Sequence, residues 1–279
     1  MKNKSIYESN MYNGVMTEID VSESENQVPS EYLDRIFCKS CENMEELPNN
    51  SIHLVVTSPP YNVMKDYDKN MTLVEYRQFL RNAWKECYRV LTNGGRICIN
   101  IANIGRKPYI PLHRYVIEDM LNIGFSMRGE IIWNKGSSVG SSTAWGSWLS
   151  ASNPVLRDVH EYILVFSKGS FERSSEGKQS TILKEDFLEW TKSIWTFPTV
   201  SARKIGHPAP FPEELPFRLI QLYTFKDDIV LDPFAGSGTT CLVASKLHRH
   251  FIGYEIEYEY IKIAEHRMKQ QIDQLDLFA

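Results

Sequence analysis

The chain has no surplus of positive charge. Its 279 residues carry 31 lysines and arginines against 35 acids, a formal net charge of −4. That excludes a protein that binds polyanions through overall charge, though not one that uses a local basic surface. Long apolar runs are also missing. No stretch approaches the length of a membrane span, and the polar start MKNKSIYESN has no apolar centre of a signal peptide. Cysteine is sparse: the five lack the spacing of a disulfide framework, which suits a reducing, cytoplasmic setting. Cys38 and Cys41 form one CxxC with no second pair at a matching spacing, so no metal site is expected. No GxxxxGK(S/T) is present, so nothing reaches for a triphosphate.

What is present suits a soluble globular protein. With 42% hydrophobic and 24% charged residues, the chain can form one large domain or two small ones, with a core that needs no staples. Residues 1–30 hold five acids and two lysines among Ser and Asn, and read as a flexible arm. From residue 35 onward, short β-branched runs alternate with helical spacing. Strands are expected at His53–Thr57, Arg96–Ala102, Ser126–Asn134, Tyr162–Ser167, Ile229–Asp232 and Phe251–Glu255. Helices are expected at Leu73–Leu91, Leu112–Ile123, Leu215–Tyr223, Thr239–Leu247 and Tyr258–Gln271. This alternation predicts an α/β fold: a mainly parallel sheet, helices on both faces, and ligands beyond the carboxyl ends of the strands. Two stretches break the pattern, 136–160 with its SSVGSSTAWGSW and the polar 169–206. Both read as insertions or loops on the scaffold.

Near the far end stands DIVLDPFAGSGTT, Asp228 to Thr240. An apolar strand runs into Asp232-Pro233, then Phe234, Ala235, Gly236, Ser237 and Gly238, and a helix starts at Thr239. Glycines let the backbone turn tightly and approach a ligand, and the helix start offers free N–H groups to an anion. The next strand ends in Glu255, nineteen residues after Gly236, where an acid accepts hydrogen bonds from ribose hydroxyls. Gly238 is followed by Thr-Thr rather than by the third glycine of dinucleotide binders. A nucleoside with a short anionic or zwitterionic tail therefore fits better than NAD.

The other corner is TSPPYN, Thr57 to Asn62, directly after the run IHLVV. Together the corners resemble those of DNA amino-methyltransferases, in the permuted (beta) order in which the SPPY corner precedes the cofactor loop. NGGRICINIAN (93–103), GEIIWNKG (129–136), HEYILVFSKG (160–169), HPAPFPEELPFRLI (207–220) and FIGYEIEYEYIKIAEHR (251–267) extend the resemblance over residues 36 to 268. It implies a Rossmann-like, seven-stranded type of methyltransferase fold and S-adenosyl-L-methionine as cofactor. It further implies double-stranded DNA as substrate, a restriction endonuclease as functional counterpart and a homodimer as one assembly. By the same resemblance, residues 31–168 are expected to form the catalytic half, 169–206 the target-recognition segment and 207–279 the cofactor half.

The resemblance also assigns roles. An exocyclic amine is a poor nucleophile because its lone pair is delocalised into the ring. A site must accept hydrogen bonds from both N–H groups, and Ser58 Oγ and the carbonyl of Pro59 are two such acceptors, held by Pro59 and Pro60. Tyr61 offers its face to an extruded base, and stacking returns roughly 1–3 kcal/mol of the flipping cost. No cysteine lies in a Pro-Cys setting for covalent attack on a pyrimidine. Pro210, Phe211 and Pro212 precede a helix over the methionine part of the cofactor, or simply enter that helix. Ser237 and Thr239 bind the cofactor's carboxylate or cap the helix. Ser40 stands where relatives carry an acid before the cysteine, and Asn62 ties down the corner or ends a turn. His160 and His207 read as structural or DNA-contacting. Trp145, Trp148 and Arg157 suit a loop that closes on DNA or a cover over the sheet. Lys178, Lys184, Lys192, Arg203 and Lys204 are candidates for phosphate contact. Serine at position 58 goes mostly with the N4 amine of cytosine. An N6-adenine methyltransferase and a nucleic-acid-binding protein that has lost catalysis remain the alternatives.

Overall fold

A computed structural model describes residues 6, 9–12, 22, 24–61, 71–136, 146–200 and 211–276. In chain order its elements are β1 Arg35–Cys38, β2 Ile52–Thr57, α1 Leu73–Val90, β3 Leu91–Ile101, α2 Leu112–Ile123, β4 Ser126–Asn134 and β5 His160–Ser167. They continue with α3 Lys184–Trp190, β6 Ile194–Thr196, α4 Glu214–Tyr223, β7 Ile229–Asp232, α5 Thr239–Lys246, β8 His250–Glu255 and α6 Tyr258–Asp276.

The strands form one eight-stranded sheet in the order β1-β8-β7-β2-β3-β5-β4-β6. Every neighbouring pair is parallel except the two made by β5, which runs against β3 and β4. Strand β2, IHLVVT, is buried along its whole length, the composition of a strand covered on both faces. On one face Val55, Ile97, Ile99, Leu231 and Ile252 pack under Leu80 and Trp84 of α1 and Val116 and Met120 of α2. On the other, Leu54, Val56, Cys98, Val165 and Val230 pack under Leu215 and Leu219 of α4 and Cys241 and Val243 of α5. Helix α1 begins with a reciprocal capping box between Thr72 and Glu75 and buries the stripe Tyr76, Leu80, Ala83, Trp84, Cys87 and Val90. No helix among the described residues is long and apolar enough to cross a membrane.

Each strand and helix expected from the alternation is present, and three further elements join them. Strand β1 pairs with β8 at the sheet edge. Helix α3 and strand β6 lie inside 169–206, where the residues show no period because the elements are only seven and three residues long. They are held by aromatic anchors: Trp190, Trp195 and Phe197 join the core beneath α4, and β6 extends the sheet beside β4.

The end of the N-terminal arm also differs from expectation. Residues 24–30 lie against the body: Val28 is buried, Asn26 Nδ2 donates to the Asn49 carbonyl, and Glu25 meets His53 at 2.8 Å. The bond from His53 pulls the Glu25 carboxyl down to about 2. Composition alone could not show this, because the partner lies in β2.

Candidate active site

β2 and β7 are neighbours in the sheet, yet their connections diverge. β2 leads through α1 to β3 on one side, and β7 leads through α5 on the opposite face to β8 on the other. Such a divergence opens a crevice at the carboxyl ends of the two strands. Both motifs leave the sheet there. Thr57, the last residue of β2, donates from Oγ1 to Asp232 Oδ1 at 2.6 Å and bolts the two corners together in the core. Burial pushes the Asp232 carboxyl up to about 6, against the hydroxyls of Thr57 and Thr240 and the Phe234 amide, which hold it lower.

Above this bolt lies a cleft of about 720 Å³, within the size range of a small-molecule site. Ser58, Pro59, Pro60 and Tyr61 line it from one corner, and Pro233, Phe234, Gly236 and Glu255 from the other. Phe211 lines it as well, while Pro212 is buried at the entrance to α4. The remaining loop residues stand behind the wall. Asp232 and Ala235 are buried, and Gly238 is pressed against Ala264. The hydroxyls of Ser237 and Thr239 turn toward Arg267, whose Nη1 donates to them at 3.2 and 3.0 Å and to the Ser237 carbonyl at 2.6 Å. These side chains therefore shape the loop from below. Pro210 lies outside the described residues, as do Asn62, Trp145, Arg203, Lys204 and His207.

At the Gly236 end, Glu255 accepts from the amide of Gly236 at 2.8 Å through one oxygen and from the amide of Glu257 at 2.9 Å through the other. Each oxygen keeps a lone pair for a further donor. Burial raises this carboxyl, and the amides of Glu257 and Gly236 oppose the rise. Phe234 is held edge-on by Phe79 and Trp84, with centroids 5.8 Å away in both cases. Ser40 and Cys41 form part of the wall beside them, together with Glu42, which accepts a hydrogen bond from Ser40 Oγ at 3.3 Å. Burial raises the Cys41 thiol well above its usual range, which removes it as a nucleophile. An acid with open acceptor positions, a glycine backbone lining the cleft at Gly236 and aromatic walls fit a nucleoside.

At the SPPY end, the Tyr76 hydroxyl donates to the Pro60 carbonyl at 2.8 Å and anchors the corner. Among the described residues, no hydrogen bond ends on the Pro59 carbonyl. Ser58 Oγ lies 3.1 Å from the Tyr61 hydroxyl, which donates to Glu161 Oε2 at 3.3 Å. Asn100 Nδ2 donates to the same Glu161 oxygen at 2.6 Å, and Lys135 Nζ donates to Oε1. Asn100, Lys135, Glu161 and Trp133 all line the cleft. Burial and the Glu161 charge hold the Tyr61 phenol well above its ordinary pKa, so it stays protonated. Asn100, Lys135 and Glu161 went unassigned in the sequence because they come from β3, the end of β4 and β5. Their presence within INIAN, IIWNKG and HEYILVF was the only signal.

Other candidates lie apart from the cleft. Trp148 and Arg157 are exposed, and His160 packs edge-on against Tyr162 at 5.0 Å. Lys178 stands 3.7 Å from Glu25, Lys192 pairs with Glu189, and Lys184 begins α3 in solvent.

Comparison with known proteins gives the family. The N6/N4 DNA methylase family model matches residues 52–266. The type II methyltransferase M.MjaI of Methanocaldococcus jannaschii is 33% identical, over 84% of this chain and 90% of its own length. M.BglII of Bacillus subtilis is 30% identical over 94% of this chain and 77% of its own. A DNA modification methylase of Thermus thermophilus, solved in complex with S-adenosyl-L-methionine, superimposes with a TM-score of 0.68 at 29% identity. That match covers 85% of this chain and 95% of the other. The cytosine-N4-specific PvuII methyltransferase, 23% identical with a TM-score of 0.67, shares the fold over 83% of this chain and 85% of its own. The chain belongs to the N6/N4 DNA methylase family, the amino-methyltransferases of restriction-modification systems that draw their methyl group from S-adenosyl-L-methionine.

Proposed function

We propose that the protein methylates the exocyclic N4 amine of a cytosine extruded from double-stranded DNA, as the modification partner of a restriction endonuclease. The observation that carries this reading is the shared cleft: the Ser58 corner and the Glu255 corner open into one space. Glu255 and the Gly236 backbone would hold the nucleoside part of S-adenosyl-L-methionine, with Phe234 and Phe211 against its apolar surface. Bound there, the cofactor supplies an electrophilic methyl group. The chain itself supplies the acceptors. Ser58 Oγ and the Pro59 carbonyl would take the two amine hydrogens, which frees the nitrogen lone pair from the ring. The Tyr61 face would stack on the extruded base and offset part of the flipping cost. The prolines keep the acceptors fixed, so little reorganisation is needed when charge develops on nitrogen.

Serine rather than a carboxylate at position 58 supports cytosine as the target. Lys135 lines the same end of the cleft and is a donor that would suit the O2 acceptor of a cytosine. Adenine presents a C–H between its ring acceptors instead of a carbonyl. The test is mass analysis of nucleosides from DNA treated with the protein and S-adenosyl-L-methionine. N4-methyldeoxycytidine is expected. N6-methyldeoxyadenosine in its place overturns the choice of base, and DNA binding without any methylated nucleoside overturns the activity in favour of a binding protein.

A further inference from the structure

Ser58 has a hydroxyl, which donates as readily as it accepts, whereas an amine target needs it to accept. A carboxylate at the end of a hydrogen-bonded chain removes that ambiguity. Glu161 is nearly buried, with 9% of its surface exposed. As a carboxylate it offers only lone pairs, and three donors converge on it: the Lys135 ammonium on Oε1, and Asn100 Nδ2 and the Tyr61 hydroxyl on Oε2. Tyr61 must therefore point its proton at Glu161. Its oxygen then has only lone pairs left for Ser58, 3.1 Å away, so the Ser58 proton must point at Tyr61. Asn100 Nδ2 reaches both hydroxyl oxygens, at 3.3 and 3.4 Å, and can only donate to them. What Ser58 has left for the cleft is a lone pair.

We propose that Glu161 is a positioning residue that fixes the direction of the Ser58–Tyr61 hydroxyl chain, so that Ser58 accepts from a base amine and rejects a carbonyl at the same place. This rests on the reading of the cleft as an amine-methylating site, and it makes the discrimination between amine and carbonyl a property of a residue that does not touch the base. A glutamine at 161 could donate through its own amide to Tyr61. The chain would then be free to reverse and leave Ser58 pointing its proton outward.

The experiment compares binding of two duplexes, in the presence of the non-reactive product S-adenosylhomocysteine. One carries the methylated site with its normal target base. The other carries the deaminated base there, uracil for cytosine or hypoxanthine for adenine, and both duplexes place the base opposite an abasic position, so that neither is paired and extrusion costs the two alike. The wild type is expected to prefer the amine duplex by at least about tenfold, because a carbonyl would face an acceptor. Glu161→Gln is expected to reduce that ratio below about threefold while holding the amine duplex with similar affinity. Tyr61→Phe keeps the ring but cuts the chain, and is expected to loosen the ratio in the same way, which carries the test should the glutamine variant not fold. A ratio that stays at the wild-type value in the folded variants overturns the proposal. A wild type that methylates no base at all instead overturns the proposed function, and one that methylates adenine leaves the inference to be read with hypoxanthine.

Discussion

Asp232 and Ser58 stand on opposite sides of the Thr57 bolt and show how differently two polar residues at one corner behave. Asp232 is buried in the core, and its carboxyl is raised from 3.8 to about 6. A raised acid contributes stability that is complete below its ordinary value and is lost as pH rises through about 6. A shift of this size corresponds to roughly 3 kcal/mol. Asp232→Asn keeps an oxygen to accept from Thr57 and from the Phe234 amide, but has no charge to bury. In urea unfolding, the variant is therefore expected to gain on the wild type between pH 4 and pH 7, by up to roughly 3 kcal/mol. A difference that does not change with pH would show that Asp232 is not titrating in this window. Ser58, by contrast, faces the cleft and bolts nothing. Ser58→Ala is expected to lower the single-turnover methylation rate about a hundredfold, the loss typical of one preorganised hydrogen-bonding group. Thermal stability and cofactor binding, measured by calorimetry, should move little.

The same contrast between local and distant causes separates the elements that the sequence discloses from those it hides. The loop Asp232–Gly238 is legible because its constraints are local. Gly238 sits at φ 73°, and a Cβ there would come within 2.6 Å of the Ala264 Cβ on α6. Left-handed strain of about 1–2 kcal/mol adds to the overpacking of a backbone that cannot yield. Gly238→Ala is thus expected to destabilise the fold by about 2–4 kcal/mol in denaturant titration, and a neutral result would mean that α6 is free to move away. The SPPY corner is legible for a like reason, since two prolines stop a strand wherever it lies. Glu161, Asn100 and Lys135 were not, although they complete the site. Each sits in or beside a strand, where a lone polar residue ordinarily faces solvent. Only the antiparallel insertion of β5 between β3 and β4 brings them beside Ser58 and Tyr61. Helix α3 and β6 escaped for another physical reason: seven and three residues are too few to show a period, and of their three aromatic anchors one, Phe197, lies just beyond the end of β6.

For the molecule as a whole, the two ends of the sheet have different work. The carboxyl ends of β2 and β7 hold the cleft, and the amino ends of the same strands hold a buried charge network. Arg173 grips Asp228, just before β7, through two bonds of 2.7 and 3.0 Å, with both side chains less than a tenth exposed. His53, near the start of β2, accepts from the Ile229 amide at 2.8 Å through Nδ1 and meets Glu25 through Nε2. Burial works against the Asp228 carboxylate, yet the Arg173 bonds overcome it and hold the group below its ordinary pKa. Residues 24–30, the segment after β5 and the two central strands are therefore fastened at one place, a full strand length from the chemistry. Removing one member of such a pair leaves its partner charged and buried, which costs about 3–5 kcal/mol. Arg173→Ala should lower the melting temperature sharply while its S-adenosyl-L-methionine affinity, measured well below that temperature, stays within about twofold of the wild type. Glu255→Ala should do the reverse: it keeps most of the stability but loses the acceptors facing Gly236, and cofactor binding weakens by at least about tenfold. In the wild type, cofactor at a hundred times its dissociation constant should add about 2.7 kcal/mol to stability, and that increment should survive Arg173→Ala and fall to about 1.4 kcal/mol or less with Glu255→Ala at the same cofactor concentration. If Arg173→Ala instead abolished cofactor binding in protein that is still folded, the two ends of β2 and β7 would be coupled, and the separation of fastening from chemistry would be wrong.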